Sequence, residues 1–171
     1  MKARSITAHF RLAAVALLAG SAFGASATPV SANAFNKLKG SWRGGGVVSP
    51  VGGASEKVAC RVSYGVAGAS VTQSITCAGT DYRINANAKL KLSSGRSVGK
   101  VSGSWRENTY NVGGGANGSY STNRINVFIS GEKFSGRMTI NIRGRSHTVS
   151  ITQFDAGTGK YTNMANISLR R

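Results

Sequence analysis

Between Asp81 and Ser93 the sequence alternates without a break between apolar or small side chains and polar or basic ones. Successive side chains of a β-strand point to opposite faces, so this segment predicts a strand with a buried face and a basic, solvated face. Shorter alternating segments recur at a spacing of roughly ten residues, separated by glycine-rich turns. We therefore expect an all-β protein with an apolar interior and a cationic exterior.

The spacing of these segments predicts eight to ten strands over residues 40–171. This pattern is typical of a single small antiparallel β-barrel, with a β-sandwich as the alternative. The glycine-rich segment Gly113–Gly118, which contains the tight-turn pair Asn-Gly, is predicted to be a turn. Residues 28–39 are predicted to be an N-terminal tail with at most one helical turn, at Ala34–Leu38.

The N-terminus has the features of a secretory signal peptide. Basic residues precede the apolar stretch Leu12–Gly24, and the small-residue sequence Ala25-Ser26-Ala27 follows it. We predict a signal peptide over residues 1–27, with Ala32 as a second cleavage position. The apolar stretch is too short for a typical spanning helix, and a retained membrane anchor is the alternative. The protein is therefore expected in the periplasm or outside the cell.

Two cysteines follow the predicted signal peptide, Cys60 and Cys77. They lie symmetrically about the bend of a predicted hairpin and share a face with apolar neighbours. In an exported protein this arrangement predicts a structural disulfide. The absence of a C-x-x-C motif and of a nearby histidine argues against a redox or metal site.

Beyond residue 27 the chain has 19 basic residues against 5 acidic ones, a net charge of +14. Such a charge attracts polyanions, and in the cell envelope these include lipopolysaccharide and anionic lipid. The other interpretation is that the basic residues only solvate the barrel exterior. Nucleic acid is a weaker candidate, because the aromatic residues needed for base stacking lie mainly on the inward parity. The outward-facing candidates for anionic-surface binding are Arg61, Arg83, Lys89, Lys91, Arg106, Arg137 and Arg143.

A transmembrane β-barrel would show a similar alternation, with the apolar face towards lipid. Several predicted strands are too short for it, aromatic girdles are not evident, and the chain ends in Arg170-Arg171. We therefore favour a soluble barrel, which does not span the membrane once the signal peptide has been removed.

The sequence offers little material for catalysis. His147 is the one histidine after the predicted signal peptide, and the five acidic residues are scattered over strand ends and turns. Only Glu56 and Asp81 are a pair that folding could bring together. No set of metal ligands can be assembled, and no serine or phosphate-binding loop motif is present. We expect no enzyme activity, catalytic residue, metal or cofactor.

The motif Gly40-Ser41-Trp42 resembles the first strand of lipocalin-type (calycin) barrels, which implies an up-and-down barrel. A longer layout resembles a group of small exported proteins of alphaproteobacteria and implies no activity. The string Gly-Ser-Trp-Arg occurs twice, which makes Trp42 and Trp105, together with His147, candidates for a barrel end or ligand mouth. The layout consists of Gly40–Gly46, Cys60-Arg61-Val62, Cys77-Ala78, Ser102–Trp105 and Gly136–Ile140.

The leading hypothesis is a non-catalytic exported or envelope-associated binding protein. Its basic outer face would contact anionic envelope components, and its barrel would hold a small ligand. Interior residues of mixed size, such as Ala86, Ala88, Gly103 and Gly136, fit either a cavity or a filled core. An inhibitor or effector that binds another protein through loops such as Gly113–Gly118 is the second hypothesis. A hydrolase using His147 with an acidic residue is the third.

Overall fold

The computed structural model describes residues 31–50, 52–81, 83–93, 98–132 and 134–171. The predicted signal peptide lies outside these residues. Apart from one short helix, the described elements are strands joined by short connections. They are α1 (Ser31–Leu38), β1 (Gly40–Val48), β2 (Glu56–Ala67), β3 (Ser70–Ala78), β4 (Arg83–Ser93), β5 (Gly99–Glu107), β6 (Val112–Tyr120), β7 (Arg124–Gly131), β8 (Ser135–Arg143), β9 (Ser146–Asp155) and β10 (Lys160–Arg170).

The ten strands form one closed antiparallel barrel in which each strand pairs with its neighbours in sequence and β10 pairs with β1. This confirms the predicted barrel and rules out the sandwich. The connections β2–β3, β4–β5, β6–β7 and β8–β9 lie at the end that α1 covers, which we call the closed end. The loops β1–β2, β3–β4, β5–β6, β7–β8 and β9–β10 lie at the opposite end, which we call the open end.

Helix α1 packs into the closed end and is part of the barrel core. Phe35 and Leu38 are fully buried, and the Phe35 ring meets the edge of Tyr120 at a centroid distance of 5.4 Å. The indole Nε1 of Trp42 donates a hydrogen bond of 2.6 Å to the Leu38 carbonyl. Lys37 Nζ reaches Asn123 Oδ1 in the β6–β7 turn at 2.8 Å. The segment predicted to be a tail therefore includes a helix whose Phe35 and Leu38 side chains cover the closed end.

Glycines allow β1 to approach β10 closely where the barrel closes. A Cβ at Gly44 would overlap the carbonyl oxygen of Ser168, and a Cβ at Gly46 would overlap that of Asn166. Any larger residue would force these two backbones apart. The glycine run after Trp42 is therefore explained by the closure of the barrel.

The prediction of a turn at Gly113–Gly118 is wrong, because these residues lie inside strand β6. The turn follows at residues 121–123. A Cβ at Gly114 would overlap the carbonyl oxygen of Ser130 on β7, and one at Gly118 would overlap that of Asn126. Close approach of strands, rather than a reversal of the chain, requires these glycines.

Candidate functional site: an apolar cavity and a basic exterior

The barrel encloses a cavity of about 330 Å³, which extends from its middle towards the open end. Tyr110 and Phe134, from two open-end loops, are among its lining residues. The walls are predominantly apolar. The apolar lining includes Ile75, Ile84, Ala86, Ala88, Leu90, Trp105, Ile129, Met138, Ile151 and Met164.

Small inward-facing side chains create this space. Ala86 and Ala88 of β4 both line the cavity, although their neighbour Leu90 is large and buried. Opposite Ala88, Trp105 of β5 forms another part of the wall. Its indole Nε1 donates a hydrogen bond of 3.3 Å to the Ser130 carbonyl, and its ring meets the edge of Phe134. Of the interior residues of mixed size named from the sequence, Ala86 and Ala88 line this cavity, whereas Gly103 and Gly136 are not among its lining residues.

Few polar side chains reach the cavity, and two of them have assigned partners. Gln73 Nε2 donates to the Tyr64 hydroxyl at 3.3 Å. Glu107 is buried, and its carboxylate accepts hydrogen bonds from the backbone N–H groups of Asn85, Thr109 and Tyr110. Burial raises the pKa of Glu107, but these hydrogen bonds outweigh it and lower the pKa overall. Glu107 therefore fixes the β5–β6 loop as an anionic acceptor.

His147 lies at the closed end and is only 1 % exposed. Its ring meets the edge of Trp42 at 4.5 Å, and its Nε2 lies 3.3 Å from the Tyr64 hydroxyl. Nδ1 has no hydrogen-bond partner among the described residues. Burial, with a smaller effect of the nearby Arg171 charge, lowers the pKa of His147 to about 4. The histidine is therefore neutral at pH 7.

Trp42 and His147 thus belong to the closed barrel end, whereas Trp105 lines the cavity. The Arg171 guanidinium stacks on Trp42 at 4.5 Å and donates to the carbonyls of Lys37 and Lys39. None of the acidic residues lies at this end of the barrel. The pairing of His147 with an acid that a hydrolase mechanism would need is therefore not formed.

The predicted disulfide joins Cys60 and Cys77, and both half-cystines are buried. The two residues are directly paired on β2 and β3, as the symmetry of the hairpin predicts. The bond confirms this part of the sequence interpretation. It also indicates folding outside the reducing cytoplasm.

All seven predicted anion-binding residues are exposed, but they do not form one continuous wall. Lys91 and Arg143 lie near the closed end, Arg61 and Lys89 near the middle, and the others near the open end. Sequence reasoning missed Arg43 and Arg170. Arg43 is directly paired with Arg61 on one side and with Arg170 on the other. Only the complete strand register reveals this arginine row.

Glu56 and Asp81 do come together, since the Asp81 backbone N–H donates to Glu56 Oε1 at 3.0 Å. This contact fixes two loops and leaves the Asp81 carboxylate outside it. Within the part of the chain that the structure describes, no three histidine, cysteine or acidic side chains gather as a metal site would require.

No helix among the described residues is long and apolar enough to cross a membrane.

Comparison with known proteins finds similarity in structure only. No protein-family model matches the chain, and no curated protein matches it in sequence. The crystal structure of Rv2717c from M. tuberculosis is similar, with a TM-score of 0.66 and 14% identity over 79% of this chain and 92% of that chain. The S-type phycobiliprotein lyase CPES from Guillardia theta has a TM-score of 0.55 and 12% identity, covering 80% of this chain and 90% of that chain. Together with the closed ten-stranded sheet, these likenesses show that the chain has the fold of the lipocalin-like, calycin-type barrels.

Proposed function

We propose that the protein is a non-catalytic, exported binding protein that holds a small apolar molecule in its barrel, while its basic exterior contacts anionic components of the cell envelope. The cavity carries this proposal. A volume of about 330 Å³ lies at the lower end of the range for small-molecule sites. It corresponds to a ligand of two or three fused or linked rings, or a short branched chain.

The polar groups at the cavity favour an uncharged ligand. Glu107 already accepts three backbone hydrogen bonds, and Gln73 is engaged with Tyr64. Among the lining residues that the structure describes, none is a lysine or arginine that could pair with an anionic head group. An anionic ligand would lose its hydration without gaining a partner of opposite charge, and a cationic one would compete with the three backbone N–H groups that already donate to Glu107.

The test is the binding of an uncharged fluorescent probe, N-phenylnaphthylamine. In the double variant Ala86→Leu/Ala88→Leu, larger side chains occupy the cavity, and we expect at least a tenfold loss of affinity. The matched control is Ala59→Leu/Ala78→Leu, which adds the same atoms to two exposed, directly paired positions on β2 and β3. This control is expected to bind within about twofold of the wild type.

Energy transfer supplies a second measurement that does not depend on filling the cavity. Trp105 lines the cavity, whereas Trp42 is buried at the closed end. In a Trp42→Phe background, the bound probe should quench Trp105 emission. Equal probe affinity in the inner and outer double variants, without quenching of Trp105, would refute the cavity as the binding site.

The envelope part of the proposal is supported by the predicted signal peptide, the disulfide and the excess of basic residues. We place the protein in the bacterial periplasm or outside the cell, with lipopolysaccharide or anionic lipid as its partner. One of the similar structures is a phycobiliprotein lyase, but a likeness at 12% identity extends to the fold alone. The proposal of a non-catalytic protein rests on the placement of His147 and Glu107 described above.

A second candidate function is binding to another protein through the open end. Exposed aromatic residues favour it: Phe154 and Tyr161 contact each other at 5.3 Å, and Arg137 stacks on Tyr161 at 4.8 Å. Aromatic and arginine side chains are enriched at protein interfaces. The segment Gly113–Gly118 does not contribute a loop to such an interface, since it is a strand. Capture of one protein that survives high salt and is lost in Tyr161→Ser would favour this candidate.

A further inference from the structure

The acidic residues are all gathered at one end of the barrel. Each of the five in the chain lies at the first or last residue of a strand, or in a loop, at the open end. Several of them fix loops there: Asp155, for example, accepts hydrogen bonds from Gly157 N–H and the Thr158 hydroxyl. The five are Glu56, Asp81, Glu107, Glu132 and Asp155.

The basic residues are concentrated at the opposite end. Among the described side chains, ten lysines and arginines lie on α1 or within a few residues of a closed-end turn, and no acid lies there. Among the same described side chains, five lie near the open end, where the five acids also lie. The closed-end set is Lys37, Lys39, Arg43, Lys91, Lys100, Arg124, Arg143, Arg145, Arg170 and Arg171. The barrel therefore has a strongly cationic end and an end that is nearly neutral.

The arginine row adds an independent observation. Arg61 on β2, Arg43 on β1 and Arg170 on β10 are exposed, and Arg43 lies directly opposite each of the other two. Like charges at directly opposite positions destabilise a sheet. The next paired residues outward are Thr76 and Ser146, so no carboxylate flanks the row. A bound surface with many negative charges would remove this repulsion.

We propose that the closed end docks on a bilayer through its anionic phospholipid head groups, so that the cavity mouth points away from the membrane. This inference rests on the envelope contact in the proposed function and adds the docking end and the orientation. Long-range attraction to such a surface depends on the local charge density, and the closed end has the highest density of unopposed charge.

A membrane fits this end better than a single-stranded nucleic acid does. Recognition of unpaired bases uses exposed aromatic rings among the basic residues. Of the four exposed aromatic residues that the structure describes, Tyr110, Phe154 and Tyr161 lie at the open end, and Phe128 lies directly opposite Arg137 near that end.

The experiment is co-sedimentation with phosphatidylcholine vesicles, with and without phosphatidylglycerol. It uses the disulfide-bonded protein as it is isolated from its own cells. The closed-end variant is Lys91→Glu/Arg143→Glu/Arg145→Glu. The matched open-end variant is Lys57→Glu/Arg83→Glu/Lys160→Glu. Both change the net charge by the same amount at exposed positions. Within the described part of the chain, none of the six side chains makes a hydrogen bond that would be lost.

We expect the wild type to sediment only with the anionic vesicles, and to be released at high salt. One basic side chain at an anionic membrane strengthens binding about fivefold, so the closed-end variant should lose at least about 20-fold in affinity. The open-end variant should stay within about threefold of the wild type. Circular dichroism and binding of the uncharged probe should be unchanged in both variants, which shows that fold and cavity are intact.

The remaining outcomes overturn the proposal in distinguishable ways. Equal losses in the two variants would mean that net charge alone matters, so the orientation would be wrong while envelope contact would stand. Failure of the wild type to bind anionic vesicles would remove the docking proposal and anionic lipid as a partner, and would leave lipopolysaccharide as the envelope partner of the proposed function. Stronger, salt-sensitive binding to duplex DNA than to the vesicles would identify a nucleic-acid surface instead. Probe binding in the cavity is a separate measurement that none of these results changes.

Discussion

Single residues at the closed end show how burial sets the pH response of the protein. His147 is enclosed by Trp42 and Tyr64, and its Nδ1 lacks a hydrogen-bond partner. Burial also raises the pKa of Tyr64, whose hydroxyl faces the histidine. Both side chains are therefore held in their neutral forms. Protonation of His147 would bury a positive charge in an apolar environment, close to the Arg171 guanidinium.

The stability of the protein should therefore fall between pH 6.5 and pH 4. The pKa of His147 is 6.5 in the unfolded chain and about 4 in the folded one, so in this window the unfolded state binds more protons. Stability is complete above pH 6.5 and declines as the pH falls, by at most about 3 kcal/mol. Urea unfolding at a series of pH values measures this slope.

The control for this pH dependence is His147→Phe, which keeps a ring against Trp42 but cannot be protonated. Its unfolding free energy should change little between pH 6.5 and pH 5. Glu107 and Asp155 affect the slope of stability against pH only at lower pH, because hydrogen bonds hold their pKa values below the usual range. An unchanged slope in this variant would mean that another group causes the loss of stability.

At the scale of single elements, β6 shows why a glycine-rich strand is difficult to predict from its sequence. Alternation correctly predicted the strands whose outward residues are polar, such as β4 and β2, because their side chains record which face is buried. β6 carries four glycines, which leave no such record. For helix α1 the sequence predicted at most one helical turn, at Ala34–Leu38, because the eight residues of the helix provide barely two turns of periodicity.

Two neighbouring glycines of β6 provide a matched test of close strand approach. Gly114→Ala should lower the free energy of unfolding by about 2 kcal/mol, because its Cβ would overlap the backbone of β7. Gly115→Ala should stay within about 0.5 kcal/mol, since the nearest atoms to its Cβ are the side chains of Ser130 and Asn117, beyond 3 Å. Urea midpoints compare the two variants, and equal losses would show that the effect comes from glycine flexibility instead.

At the scale of the whole molecule, the sequence predicted the class, the closed sheet and the disulfide, but not the division of charge between the two ends. Each strand reverses the direction of the chain, so one missed strand exchanges the two ends for every residue that follows. Treating Gly113–Gly118 as a turn would place Arg143 and Arg145 at the wrong end. The cavity was also beyond prediction, because its volume depends on how all ten strands bend.

A ligand that fills the cavity should stabilise the whole barrel against heat. At a probe concentration 100 times its dissociation constant, binding to the native state alone adds about 2.7 kcal/mol, which corresponds to about 10 °C in the unfolding midpoint. Differential scanning calorimetry measures this shift. It should disappear in Ala86→Leu/Ala88→Leu and persist in Ala59→Leu/Ala78→Leu. A shift of the same size in both variants would place the bound probe outside the cavity.

The contact of Arg171 with Trp42 and α1 joins the last residue of the chain to its first described element. β10 likewise pairs with β1, at nearly the full separation that the sequence allows. During synthesis, the edge of β1 that pairs with β10 therefore stays unpaired until β10 has been made, and until then it can pair with other chains. Pairing with β10 removes this edge, so the interval in which β1 can pair with another chain ends once β10 has been synthesised.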